Sequence, residues 1–242
     1  MSDITIAELV RNGTMSAEIA AVLWAAVDER LSFLTVAIPR FAGKTTTSNA
    51  VLAMRPPHVP ASLVHGHAQE LEALRRERRG GYIVVPEFAQ APVPGYIWGE
   101  PVRRVFETVV EGGYSLQTAL HAGSVEDAIA EVSLGNRVPD DHASTFKLVI
   151  YIERFGGYND FWRRVTHLYE VERIENGRPV GHSLFRWQAD GDKFVAQTPP
   201  QQFARDATDL ARRANLIAEL AATGRTSGQD VANALQSYRE RT

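Results

Sequence analysis

Ser32-Phe-Leu-Thr-Val-Ala-Ile38, followed by Pro39-Arg-Phe-Ala-Gly43-Lys44-Thr45-Thr46, is the stretch on which the fold turns. The first seven residues are apolar at nearly every position, a pattern suited to a strand buried on both faces, as in a parallel sheet. Pro39 to Gly43 reads as a turn, and Lys44 to Met54 as a helix that the double proline Pro56-Pro57 ends. Strand, loop and helix in this order form the context that a phosphate-binding loop requires. Backbone N–H groups at a helix start, with the positive end of its dipole, hold phosphate oxygens. Ala42, Gly43, Lys44, Thr45 and Thr46 are therefore the candidate nucleotide-binding residues. Lys44 would reach the β- and γ-phosphates and the Thr45 hydroxyl would hold Mg²⁺. The pattern is incomplete: Ile38 stands where the loop's first glycine belongs, and a bulky side chain there disfavours a positive φ. Taken alone, Gly-Lys-Thr-Thr is also an ordinary helix N-terminus.

Before this stretch, Thr5 and Glu8 have capping-box spacing, so Ile6 to Asn12 reads as a short helix stopped by Gly13. Ser16 caps a second helix, Ala17 to about Leu31. After it the alternation continues. Ser62 to Val64 and Tyr82 to Val85 read as strands, with a charged helix from Ala68 to Arg79 between them. Glu100 to Glu111 has apolar residues at helical spacing, Tyr114 to Leu120 is strand-like, and Ser124 caps a helix to about Leu134. Repeated strand and helix argue for an α/β domain with a mainly parallel sheet. Beyond Pro139 the pattern changes to Phe146–Ile152, Arg163–Ile174, Ser183–Trp187 and Lys193–Ala196, strand-like runs joined by turns such as Glu175-Asn-Gly177. Asn-Gly is a strong hairpin signal, so these runs read as an antiparallel extension. From about Gln201 to Arg241 the chain reads as two helices broken at Gly224, with Thr226 or Ser227 capping the second.

Composition bounds the function. The 242 residues are 44% hydrophobic and 23% charged, an ordinary globular mixture. A net charge of −3 gives no global positive field to argue for nucleic acid as the main ligand. With no cysteine, a disulfide scaffold, a thiolate metal site and a cysteine nucleophile are all excluded. Met1 to Gly13 lacks the basic-then-apolar order of a signal peptide, and no apolar run approaches the roughly 18 residues of a spanning helix. The expectation is a soluble, cytoplasmic protein.

Two further residues are candidates for chemistry. Glu87 ends the apolar run Tyr82 to Val85, where a nucleotide hydrolase places the acid that orients Mg²⁺ or the attacking water. His121 ends another expected strand on the same side of the sheet, where C-terminal strand ends line a ligand crevice. Both also fit a bland reading, as strand-end polar groups. His65 and His67 lack a third ligand nearby, so zinc is not expected. The run Glu72 to Arg79 is either a solvated helix face or a source of arginine for a neighbour. Pro92-Val-Pro-Gly95-Tyr96-Ile97-Trp98 is either an exposed partner surface or a loop folded back as a lid.

Taken in order, these features resemble the ATPase domain of the type II and type IV secretion and pilus-assembly superfamily, most of all its Flp-pilus branch. Gly43-Lys44-Thr45-Thr46 is similar to the end of that family's Walker A sequence, Ile83-Val-Val-Pro-Glu87 to its Walker B strand, and Gly112-Gly113 through Leu120-His121-Ala122 to its histidine box. Tyr151 to Arg154, Arg163 to Thr166 and Glu170-Val171 resemble the β-segment that follows, so the similarity spans roughly residues 4 to 190. The resemblance implies a RecA-like P-loop NTPase fold for about residues 1–198, with the extension at about 146–198 and a helical C-terminal tail over 199–242. It implies ATP and Mg²⁺ as ligands, Glu87 and His121 as catalytic residues, and Thr45 and Glu87 toward the metal. It further implies a homo-oligomer, as in a hexameric ring, a membrane-embedded secretion or pilus platform as partner, and a place at the inner face of the membrane.

The departures carry weight too. The family's N-terminal domain has no counterpart ahead of Ile6, the acidic-box glutamate is missing around Leu63-Val-His65-Gly66-His67, and Gly113-Tyr114 stands where the first histidine of the histidine box belongs. Binding residues survive better than hydrolytic ones, so a nucleotide-binding regulator that does not turn over stays open beside the ATPase. A small-molecule kinase is a third reading. The open side of a triphosphate site would be completed by a neighbour's arginine, from Arg75, Arg76, Arg78, Arg79, Arg103 or Arg104.

Overall fold

The Thr5 hydroxyl accepts from the Glu8 N–H and the Ser16 hydroxyl from the Ile19 N–H, each at 3.3 Å, so both expected caps form. They start α1 (Ile6–Arg11) and α2 (Ala17–Asp28) of a computed structural model that describes residues 4–38, 41–157, 159–203 and 205–241. Pro39 and Arg40, the first two residues of the expected turn, lie outside the described residues. The chain continues through β1 (Ser32–Ile38), α3 (Lys44–Leu52), β2 (Ala61–Leu63), α4 (Ala68–Glu77), β3 (Tyr82–Val84), β4 (Glu87–Phe88) and β5 (Tyr96–Ile97). Next come α5 (Glu100–Gly112), β6 (Ser115–Leu120), α6 (Val125–Ala130), a π turn over Glu131–Gly135, and α7 (Asp140–Ala143). The extension is β7 (Phe146–Gly156), β8 (Phe161–Glu175), β9 (Arg178–Gln188) and β10 (Lys193–Ala196), and α8 (Ala207–Thr223) and α9 (Gly228–Arg239) follow.

Eight of these strands form one sheet in the order β10-β9-β8-β7-β1-β6-β3-β2. From β7 to β2 every pairing is parallel, and from β7 to β10 every pairing is antiparallel. This is the expected RecA-like α/β fold: a parallel core in which β6 separates β1 from β3, with an antiparallel extension built onto the edge at β7. Alternation along β1 explains why it is central. Phe33 joins the core with α1, α2 and α3 on one face, while Leu34 and Val36 join the core with α4, α5 and α6 on the other. Helix α2 is buried from Ile19 to Val27, since the sheet covers one side and α8 packs on another. Leu220 of α8 and Leu235 of α9 enter the same core.

Local chemistry sets the remaining turns. Asn176 and Gly177 have φ of 51° and 71° between the paired Glu175 and Arg178, the two-residue hairpin that Asn-Gly favours. The Gly224 break has φ 73°, and of the two expected caps it is Ser227 that accepts from the Asp230 N–H. The β4–β5 ribbon, the π turn and α7 were not expected from sequence. They are too short to show periodicity and owe their geometry to neighbours, as where Asn136 Nδ2 donates to the Glu131 carbonyl closing the π turn.

His167 of β8 is buried, and burial together with the Arg186 charge pushes its pKa down to about 4. The folded state therefore holds this imidazole neutral, whereas an unfolded chain binds a proton near pH 6.5. Stability from this group is complete above pH 6.5 and is lost as pH falls from there toward 4. Arg186 and the Tyr169 ring, 5.5 Å away, offer no carboxylate to a protonated ring. Urea unfolding at pH 7 and pH 5 should give a loss smaller by about 1–2 kcal/mol in His167→Leu than in the wild type. Equal losses would exclude His167 as the titrating group.

Candidate functional site

Gly43 caps α3 with φ 100°, a left-handed conformation that glycine adopts at no steric cost. It has no side chain to cap the helix, so the first N–H groups of α3 point outward without partners within the helix. Space matters here as well: a Cβ on Gly43 would lie 2.9 Å from Arg163 Cδ. Phe41, also at positive φ (66°), is 83% exposed at the rim of the loop.

At the start of α3, three candidates from separate parts of the chain come together. Lys44 Nζ lies 2.8 Å from His121 Nε2 and 3.4 Å from Glu87 Oε2, and His121 Nε2 is 3.4 Å from Glu87 Oε1. The sheet is responsible. Lys44 follows β1, His121 follows β6 beside it, and Glu87 follows β3 on the next strand over. The His121 tautomer follows from its other nitrogen: Nδ1–H donates to the Ala37 carbonyl at 3.0 Å, leaving Nε2 to accept from the ammonium. The 3.2 Å approach of Nζ to Nδ1 is then a contact and not a second hydrogen bond. Lys44 and Glu87 are both buried, at 7% and 5% exposure, so their attraction is little screened by solvent.

These groups line a cleft of about 390 Å³. Ala42, Gly43, Thr45 and Thr46 also line it, with Val93 from the loop after β4 and Tyr96 from β5. That loop folds back, since Tyr96–Ile97 pairs in parallel with Glu87–Phe88 and Ile97 is buried. Of the two readings open for Pro92 to Trp98, the folded-back one holds from Gly95 to Trp98, while Pro92 to Pro94 are exposed.

Arg163 of β8 also lines the cleft, and sequence reasoning missed it as a site residue. Its Nη2 donates to the Phe41 carbonyl at 3.1 Å, and burial followed by the Arg154 charge lowers its pKa. The local signal was Phe161-Trp-Arg-Arg164, two aromatic and two basic residues in a strand. What it lacked was the fold, which lays β8 across a loop 122 residues earlier.

Five of the six arginines named for a neighbour are engaged elsewhere. Arg75 pairs with Glu107 and Glu111 at 3.0 and 3.6 Å, Arg76 with Glu72, Arg79 with Glu77 and Arg104 with Glu100. Arg103 donates to the Asn136 carbonyl at 2.9 Å. The region of the missing acidic box holds Glu70, whose Oε2 accepts from the His65 N–H at 2.8 Å; it does not line the cleft. Among the described residues no group of three or more His, Cys, Asp or Glu could hold a metal by itself. No helix among them is long and apolar enough to cross a membrane.

No family model matches the chain. A relative in sequence is the uncharacterized protein MJ0900 of Methanocaldococcus jannaschii, 25% identical over 217 residues, covering 79% of this chain and 38% of that protein. A similar solved structure is the VirB11 ATPase from the type IV secretion system of Brucella suis, in complex with sulphate. Its identity is 14% and its TM-score 0.48, over 63% of this chain and 52% of that one. The chain thus spans about half the length of the VirB11 chain and less of MJ0900.

Proposed function

We propose that the chain is an ATP-binding subunit of the secretion and pilus-assembly type, hydrolysing ATP to drive assembly or secretion. The observation that supports this best is the meeting of Lys44, Glu87 and His121 at the N-terminus of α3. The donor set suits a polyphosphate: the N–H groups of the first turn of α3, a buried ammonium and a guanidinium face one cleft. It also suits Mg²⁺, which takes one or two protein ligands and completes its shell with phosphate oxygens and water. Thr45 and Glu87 are those ligands in this reading. Mg²⁺, when bound, neutralises charge developing on the phosphoryl oxygens.

The chain's own residues then divide the work. Lys44 exchanges its Glu87 partner for phosphate oxygens, which frees the carboxylate to orient metal or water. His121 is held by Ala37 with Nε2 toward Lys44, and so reports the presence of the terminal phosphate. Arg163 adds positive charge in cis, which reduces the need for an arginine from a neighbour.

A second reading, a nucleotide-binding regulator, is favoured by one observation. Among the described residues Glu87 is the carboxylate that lines the cleft, and Lys44 already engages it. A base for water is therefore not spare. One experiment separates the two readings: steady-state phosphate release from Mg·ATP by the wild type, Lys44→Ala and Glu87→Ala, with light scattering on the same samples. The ATPase reading expects release above both variants, and a particle that grows with a non-hydrolysable ATP analogue if a ring completes the site. Release equal to that of the variants selects the regulator, and a monomer under both conditions removes the ring.

A further inference from the structure

A second cavity, of about 240 Å³, adjoins the cleft: Gly43, Thr46 and Arg163 border both. Its other walls include Leu9 and Asn12 at the end of α1, Thr47 of α3, and Phe161 and Trp162 at the start of β8. Two of its polar atoms have no partner among the described residues. Thr47 is 1% exposed, yet its Oγ1 has no hydrogen-bond partner among the described residues, and neither does the buried Nε of Arg163. A buried hydroxyl without a partner is costly and needs an explanation.

The apolar wall is as unusual. Phe161 and Trp162 are 42% and 40% exposed, whereas large aromatics generally hide more of themselves. They are held firmly in place. The Trp162 ring stacks on Phe155 at 4.4 Å and meets the Trp187 edge at 5.7 Å, with the Arg164 guanidinium 4.6 Å from its centroid. Arg164 is fixed in turn by Asp192 at 2.6 and 2.7 Å, and its hydrogen bond together with that of Trp187 holds the Asp192 pKa down to about 2. Phe161 has the Arg154 and Arg163 guanidinium carbons 4.5 and 4.7 Å from its ring centroid. A rigid, half-exposed aromatic wall and an unpartnered buried hydroxyl beside a phosphate cradle match the chemistry of a nucleoside, with flat apolar faces and hydroxyl and ring polar atoms at its edge.

We propose that this second cavity is the nucleoside subsite of the phosphate cleft. Phe161 and Trp162 cover the base or ribose, Thr47 Oγ1 hydrogen-bonds to it, and Arg163 reaches from it to the phosphates. This rests on the nucleotide reading above, so the test uses two probes: Mg·ATP, and tripolyphosphate with Mg²⁺, which has phosphates and no nucleoside. Calorimetric titration of each is made with the wild type, Thr47→Val, Phe161→Ala, their combination, and Lys44→Ala. Thr47→Val keeps the side-chain shape and Phe161 is half exposed, so each single variant stands as a test if the other fails to fold. The double variant should weaken ATP by about tenfold or more while tripolyphosphate stays within about twofold, because stacking and one hydrogen bond act on the nucleoside alone. Unchanged ATP affinity, or equal loss for both probes, overturns the subsite. If Lys44→Ala leaves both probes unaffected, the phosphate site itself is wrong. Lys44-dependent binding of tripolyphosphate as tightly as ATP sinks the subsite and leaves the phosphate site standing.

Discussion

Lys44→Ala should weaken ATP binding by about a hundredfold or more, while Glu87→Gln should leave binding of metal-free ATP unchanged or tighten it. Truncating one partner of a buried, hydrogen-bonded charge pair typically costs about 2–5 kcal/mol of binding, and every 1.4 kcal/mol is tenfold. Lys44 is 7% exposed, so its ammonium meets phosphate with little water between them. The variant also leaves Glu87 in the cleft beside His121, and a carboxylate there repels an incoming triphosphate. Glu87→Gln acts in the opposite direction. It removes the charge that competes for Lys44 across 3.4 Å, so the ammonium is given up to phosphate at lower cost. The opposite signs distinguish a ligand exchange from simple damage to the cleft. Fluorescence titration of the three proteins with ATP in the presence of EDTA reads the result, and unchanged affinity in Lys44→Ala would sink the phosphate-loop reading.

The site was legible as far as strand ends could be located. Ser32 to Ile38 was bounded correctly because burial on both faces leaves a continuous apolar run, and Lys44, Glu87 and His121 all sit just beyond such runs. Once three neighbouring strands are parallel, their ends share one side of the sheet, and the residues must come close. Sequence left Arg163 and Thr47 out for a corresponding reason. Arg163 acts through a strand that crosses the loop from the antiparallel extension, and the register between the two is set by tertiary packing. Thr47 looks like any small polar residue in a helix until its hydroxyl is seen to lack a partner. The π turn and the two-residue strands β4 and β5 fell below the length at which a period can be read.

Away from the cleft, the largest effect is expected at Arg213: alanine there should lower the unfolding free energy by about 3 kcal/mol, the lower end of the usual range for breaking a buried pair. Arg213 lies in α8 at 2% exposure, among the most hidden large side chains of the chain. It donates to Asp28 of α2 at 2.6 Å and to Asp209 at 2.7 Å, with its guanidinium 4.3 Å from the Trp24 ring centroid and 5.2 Å from that of Tyr238 in α9. One side chain thus joins α2, α8 and α9. The Asp28 side chain is only 6% exposed, so removing Arg213 leaves a carboxylate largely away from water. The cost stays at the lower end because Arg239 still holds Asp28 at 2.6 Å and the Tyr238 hydroxyl still holds Asp209 at 2.6 Å. Arg213→Met should recover part of the loss by covering Trp24, since packing as well as charge is removed by alanine. Arg212→Ala, on the exposed side of the same helix, is the control and should fall within about 0.5 kcal/mol of the wild type. Urea denaturation of the four proteins measures these differences. Arg213→Ala and Arg212→Ala of equal stability would mean that the buried network contributes nothing to holding α8 and α9 against α2.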